Sequence, residues 1–322
     1  MASPNFTLTG LTGYVDQNRE ELLSAAIAGA KSSQVLAMQT GIKGSANINL
    51  LDTDLVFQVD NVAGRTPAGV TTISKRTITV APIKVEEDIN VKGLNDTYIQ
   101  HQLKAGSADD AIPFEQAWSE LKAAKIAAQL ETAIWQSEVG GAGGANMVHF
   151  DGFLEIIKDE TANVIHSNGT SGGILTATGI TSANIEAIVD GVYTSIPLEL
   201  LDKDDVVIFM GHDRFRLYTQ ALKDSNLFHY DAKGSNFEIM VPATNVKVMA
   251  LHGLNGVAVD GSPIVAARTS NMIIGVDLEH DEDVFEVWYS KDDKVVKFDA
   301  GFKYGVQIAF PAEVVEFSTN AV

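Results

Sequence analysis

Residues 114–139 read FEQAWSELKAAKIAAQLETAIWQSEV, the longest uninterrupted helical pattern in the chain. Pro113 suits the first helical position, where its missing N–H would be unpaired in any case. Glu115 adds negative charge at the positive end of the helix dipole. Apolar residues recur at Phe114, Ala117/Trp118, Leu121, Ala124 and Ala128, then along Ile126, Leu130 and Ala133/Ile134, a broad face with helical period. Gly140 and Gly141 then stop the helix, because glycine accepts the left-handed backbone needed just past a helix end. At about 1.5 Å of rise per residue the rod spans roughly 40 Å.

Extended chain precedes this rod. Residues 47–88 are rich in Val, Ile and Thr, in INLLDTDLVFQV and VTTISKRTITVAPIKVEED. Between these runs DNVAGRTPAG carries the breakers Gly64, Pro67 and Gly69. The whole reads as a long two-stranded hairpin. An isolated hairpin is marginal in water, so such an element leans on a partner. Its side chains Arg65, Lys75 and Arg76 form an outward basic cluster in an acidic protein. That cluster is either a solvated strand face or a surface for pairing with acidic neighbours.

Ahead of the hairpin, residues 1–46 hold one helix, 16–30, with Asp16 as its cap and a short stripe at Leu22, Leu23, Ala26, Ile27 and Ala30. An arm lying on another surface fits better than a self-contained domain. A connector from 89 to 112, with a short amphipathic helix at 96–105, leads into the rod. Beyond it, helices at 181–195, capped by Thr181 or Ser182, and 212–224 alternate with buried runs at 205–211, 246–252, 264–268 and 272–276. That alternation describes a compact mixed α/β unit over about 160–278. From 279 onward the chain is strand after strand (284–290, 295–304 and 306–317), the sheet against which the rod packs. The fold class is α+β.

Composition narrows the function. The chain has 322 residues, 45% of them hydrophobic, which is enough for a sizeable core. It contains no cysteine, so disulfides, thiolate metal sites and cysteine nucleophiles are removed together, and a reducing cytosol fits. The formal net charge is −19, which repels nucleic acid at long range and argues against sequence-specific DNA or RNA reading. No apolar run approaches the eighteen or so residues of a membrane helix, and the N-terminus lacks the pattern of a secretory signal.

Strings that resemble chemistry sit in the wrong context. Gly169-Thr170-Ser171-Gly172-Gly173 matches a nucleophile-elbow string, but a polar loop surrounds it where the motif requires a strand turning into a helix. The glycines at 140–144 follow a helix instead of opening one and lack the Gly-Lys-Ser/Thr ending of a phosphate loop. The seven histidines show no metal-ligand spacing, and His280-Asp281-Glu282-Asp283 reads as a solvated acidic turn. No catalytic residue, cofactor or metal ligand emerges.

The order of parts (arm, long hairpin, long helix, mixed α/β unit, terminal strands) resembles the major capsid protein of tailed bacteriophages, with the Hong Kong 97-like capsid fold. The hairpin 47–88, the rod 114–139, FDGFLEII from Phe150 and the closing KFDAGFKYGVQIAFPAEVVEF carry the likeness. The resemblance implies an N-terminal arm at 1–46 and an extended E-loop at 47–88. A P-domain would cover 89–160 and 279–322, with a spine helix at 114–139, and an A-domain would cover 161–278. It further implies pentamers and hexamers in an icosahedral shell around packaged double-stranded DNA, built in the host bacterial cytoplasm and ending in the virion. Scaffolding, portal and decoration proteins would be partners, and no membrane or cofactor would be involved. Only some forty-six residues precede the hairpin, and Met1 favours scaffolding as a separate protein. Some such proteins crosslink through a lysine–asparagine isopeptide bond; Lys75 lies in the right element, but no motif places its partner.

Expected intersubunit contacts are Leu55, Phe57, Arg65, Ile73, Lys75 and Arg76 on the hairpin, with Glu120 and Lys122 on the rod's exposed side. Three other readings stand beside the capsid one. They are an encapsulin-like nanocompartment shell, a serine hydrolase using Ser171, and an adhesive or carbohydrate-binding module.

Overall fold

A computed structural model describes residue 27 and residues 29–53, 55–57, 68–89, 114–141, 144–160, 162–167, 179–225, 237–256, 263–277, 284–290, 292–293 and 295–319. In chain order the elements are α1 (Lys31–Val35), β1 (Ala37–Gln39), β2 (Ser45–Thr53), β3 (Thr71–Thr79), β4 (Ala81–Ile89) and α2 (Phe114–Gln136). Next come α3 (Phe153–Asp159), β5 (Ile165–His166), α4 (Ile185–Ser195), β6 (Val206–Gly211) and α5 (His212–Asp224). The last are β7 (Glu238–Met240), β8 (Lys247–Leu251), β9 (Ile264–Arg268), β10 (Met272–Asp277), β11 (Val284–Ser290), β12 (Val295–Ile308) and β13 (Val315–Phe317). The expected helices at 16–30 and 96–105 lie almost wholly outside the described residues.

A five-stranded sheet is built on β12. Val296, Phe298, Ala300, Phe302, Tyr304, Val306 and Ile308 alternate onto one buried face, the two-residue period of a strand with one side in a core. The strand runs without a break through Gly305, where two separate strands, 295–304 and 306–317, were expected. One edge of β12 takes β11 (Val284↔Gly301 to Ser290↔Val295) and then β10 (Asp277↔Lys303 to Met272↔Ile308). The other edge takes β4, from Ile89↔Val296 to Ala81↔Tyr304, and β1 pairs with the far side of β10 in parallel.

Two expectations are corrected here. The second hairpin strand does not run on to residue 88: it ends at Thr79, and 81–89 crosses into the β12 sheet. Pro82 suits this role, because β4 pairs on only one side among the described strands and a missing N–H is tolerated on an edge. The run 272–276, expected in the mixed α/β unit, also belongs to this sheet. A continuously apolar strand is buried on both faces and carries no alternation to say which sheet owns it.

The second sheet has the order β5-β13-β9-β6-β8-β7 and mixes parallel β6–β8 and β5–β13 pairs with antiparallel ones. Helices α4 and α5 cover it through Ile188, Val189, Val192, Phe215, Tyr218 and Leu222. The residue before α4 is Asn184, not the expected Thr181 or Ser182.

Helix α2 packs against the β12 sheet and reaches the second sheet at its C-terminal end. Its buried positions are Ser119, Ala123, Ile126, Ala127, Leu130, Glu131, Ala133, Ile134 and Trp135, while Leu121, Ala124 and Ala128 of the expected apolar face are exposed. Alanine-rich sequence gives that face little contrast, so its azimuth could not be read from periodicity alone. Trp118 meets Phe298 edge-on at 5.5 Å, and Trp135 lies 5.4 Å from Phe153 and 5.6 Å from Phe209. The indole of Trp135 thereby joins α2, α3 and β6. The rod stops at Gln136 because the next N–H groups leave the helix: Glu138 donates to the Met147 carbonyl and Val139 to Asp151 Oδ1, both near 2.8–2.9 Å. Gly140 completes the exit with φ +77°.

Candidate intersubunit interface

The hairpin is a two-stranded ribbon, β2 against β3, in register from Ser45↔Thr79 to Thr53↔Thr71. Strand parity divides its side chains between two faces. Ala46, Ile48 and Ile78 share one face and pack at the root with Ile42, Val80 and Ile273. The other face presents Asn49, Leu51, Ile73, Lys75 and Thr77, all exposed. Leu51 stands directly opposite Ile73. This apolar cross-strand pair has no cover among the described residues, at 65% and 75% exposure. Further out Leu55 is 69% exposed and Phe57 93%. Exposed apolar groups that cluster on one projecting element mark a binding surface more often than a solvated one.

The root is held by polar contacts. Arg76 Nη2 donates to Glu160 Oε1 at 2.6 Å and to Gln307 Oε1 at 3.5 Å. Asn163 Nδ2 donates to the second Glu160 oxygen at 2.7 Å. The Asn163 amide and the Arg76 guanidinium together hold the Glu160 carboxyl below its ordinary range. Gln307 Nε2 also donates to the Thr77 carbonyl at 3.0 Å, tying β12 to the ribbon. Arg76 therefore faces the ribbon's own base and is not part of an outward basic cluster with Lys75. Adjacent strand residues point to opposite faces, so the two could not both face outward. Lys75 is exposed as expected, and Arg65 lies outside the described residues.

On α2, Glu120 is exposed. Lys122 is not: it forms an ion pair with Glu87 of β4 and sits 5.6 Å from the Trp118 ring centroid. It fastens the rod to the sheet edge instead of facing solvent. Sequence reading missed Leu51 and Val70 as exposed apolar groups; the period-two pairing of Leu51 with Ile73 was the available signal.

Ser171 and the acidic turn at 280–283 lie outside the described residues. Among the described residues no three His, Cys, Asp or Glu side chains are arranged to hold a metal ion. No helix among them is long and apolar enough to cross a membrane. His212 and His252 have ring centroids 6.2 Å apart near Phe237, and burial first, then the neighbouring His252, lowers the His212 pKa. His166 Nδ1 lies 2.9 Å from Glu316 Oε2 in a nearly buried pair between β5 and β13.

No protein-family model matches the chain, and no curated protein matches it. Solved structures do. The satellite phage P4 procapsid including size determination (Sid) protein superposes with a TM-score of 0.59 at 13% identity, over 99% of this chain and 92% of that one. The capsid of an empty GTA particle gives 0.56 at 15% identity, over 92% and 91%. A virus-like particle from Pyrococcus furiosus gives 0.52 at 9% identity, over 95% and 99%. The chain thus has the mixed α+β fold of capsid shell subunits. In particular, it resembles the major capsid proteins of tailed bacteriophages and has the Hong Kong 97-like fold that its order of parts implied.

Proposed function

We propose that this chain is a major capsid protein that self-assembles, as pentamers and hexamers, into an icosahedral shell around packaged double-stranded DNA. The observation that carries this reading is the projecting ribbon with Leu51, Leu55, Phe57 and Ile73 uncovered, on a capsid-type fold matched over nearly the whole chain. The reading assigns 1–46 to an arm, 47–88 to the E-loop with its base strand, 161–278 to the A-domain, and 89–160 with 279–322 to the P-domain. Strands β10 and β13 would then exchange between the two sheets. The role is structural and not enzymatic. Leu55, Phe57, Ile73 and Lys75 would touch neighbours directly, as would Glu120 and Arg65; Arg76 and Lys122 would set the angles of the elements that do.

The mechanism is cooperative burial. Each copy lays its ribbon and arm over adjacent copies and gains about 25 cal/mol per Å² of apolar surface removed from water, less the cost of association. The charge of −19 keeps the shell from adhering to the polyanion it encloses. Scaffolding, portal and decoration proteins would complete the particle in the host bacterial cytoplasm, and the mature location is the virion.

Negative-stain microscopy of the purified chain tests this. Closed shells are expected; a stable monomer would overturn the reading. A nanocompartment shell is the second reading, supported by the match to the Pyrococcus furiosus virus-like particle. Nuclease-protected double-stranded DNA inside particles from the native source supports the capsid, and packaged protein cargo supports the compartment.

A further inference from the structure

Gly275 of β10 and Gly305 of β12 stand directly opposite each other. They lie on the face of the sheet turned away from α2, since Phe298 and the other even-numbered residues of β12 point toward the rod. Neither glycine has a positive φ, so what the pair supplies is space. The base of the ribbon fills it. A Cβ on Gly305 would overlap the Thr79 carbonyl oxygen, and one on Gly275 would stand 2.8 Å from Ile78 Cδ1 and 3.0 Å from Ile42 Cδ1. Ile78 is fully buried, with Ile42 and Val80 around it, so its tip has little room to turn aside. The next cross-strand pair, Ile273 and Gln307, grips what the notch admits. Ile273 packs on the same cluster, and Gln307 Nε2 donates to the Thr77 carbonyl at 3.0 Å. A second support stands three residues out from Thr79, where Arg76 Nη2 meets Glu160 Oε1 at 2.6 Å. Two supports about 10 Å apart along β3 set a direction, and raising Thr79 by about 1 Å against a fixed Arg76 tilts the ribbon by about 6°.

We propose that the Gly275–Gly305 notch fixes the angle at which the ribbon leaves the sheet and, through that angle, the diameter of the shell. This deepens the shell reading and rests on it. One angle is repeated at every contact the ribbon makes, and the rotation between adjacent copies decides how many copies close a surface. The two glycines are positioning residues that act through the ribbon seated on them.

Gly275→Ala, with and without Ile78→Val, tests this by electron microscopy of assembled particles, with the melting temperature measured on the same chains. Gly275→Ala is expected to shift the mean particle diameter or to give open, irregular sheets, because its methyl lifts the ribbon. Ile78→Val removes the Cδ1 carbon that this methyl meets first, and the remaining approaches, at 3.0 and 3.2 Å, yield by a few tenths of an ångström. The double variant is therefore expected to regain closed shells of the unsubstituted diameter. Shells of that diameter from Gly275→Ala alone, even with a lower melting temperature, would reduce the notch to packing and overturn the inference. A double variant that fails to regain the diameter would overturn it as well. Both of those results leave the shell reading standing, whereas an unsubstituted chain that forms no particles would remove both.

Discussion

At Gly253 the backbone passes so close to α2 that a Cβ would overlap the Glu131 carbonyl oxygen and the Trp135 ring. Gln136 donates to the carbonyls of both Gly253 and Asn255, so the approach is also hydrogen-bonded. Gly253→Ala should cost about 3 kcal/mol, read as a lower thermal midpoint by calorimetry, because the methyl meets backbone and a fully buried indole, neither of which can yield. One turn away, Glu131 is buried and accepts from the Ser32 N–H and the Ser32 hydroxyl, both at 2.8 Å, while the Trp135 indole donates to that hydroxyl at 2.8 Å. Glu131→Ala leaves a buried N–H without its acceptor and should cost about 2–3 kcal/mol in chemical denaturation. The presence of a charge at 131 was legible in the sequence. Its partner was not, since Ser32 lies ninety-nine positions away. Arg76 and Lys122 were misplaced for the same reason: residue type foretells that a charge will be satisfied, and only the fold says by what.

The ribbon is the element whose behaviour can be isolated. The outer part that is described has no cover among the described residues, and its root depends on a small apolar cluster together with Arg76, Glu160 and Gln307. The Glu160 carboxyl is held low by Asn163 and Arg76, so its contribution is present above the ordinary value of 4.5 and is lost as pH falls through the lower folded value. Wild type should therefore be more stable than Glu160→Gln at neutral pH, by about 0.5–1 kcal/mol for a partly exposed pair, and the gap should close as pH is lowered well below 4.5. Deleting residues 61–69 should leave a folded monomer that assembles poorly; normal shells from that variant would count against the ribbon's role. The rod as a helix and 295–304 as a strand were the most legible elements, although the rod's buried face and the continuity of β12 through Gly305 were not. The break between β3 and β4 was not, since Val, Ile and Thr continue through it and only the change of partner strand at Val80 marks it.

The molecule as a whole carries nineteen excess negative charges, so copies brought together in a shell repel one another. Raising ionic strength from about 0.1 M to about 1 M shortens the screening length from about 10 Å to about 3 Å. Assembly, followed by light scattering, should accordingly begin at lower protein concentration in high salt; the opposite trend would mean that opposite-charge contacts dominate the interfaces. The order of parts was legible at this scale and sufficed for the fold. The allocation of strands to two sheets was not, because β10 and β13 are short apolar runs with nothing in their own residues to name a partner.

Strand β12 holds β4 along one edge and β11 with β10 along the other, and its Gln307 grips the ribbon's base. In the proposed shell a tug on the ribbon would load this strand through β4 and Gln307, and a pull directed along it would be shared by many ladder bonds at once. In the proposed shell the sheet would serve as a tension member. A container under internal pressure gains from having its stress enter each unit in shear, since a seam that cannot be peeled fails only when all of its stitches part at once.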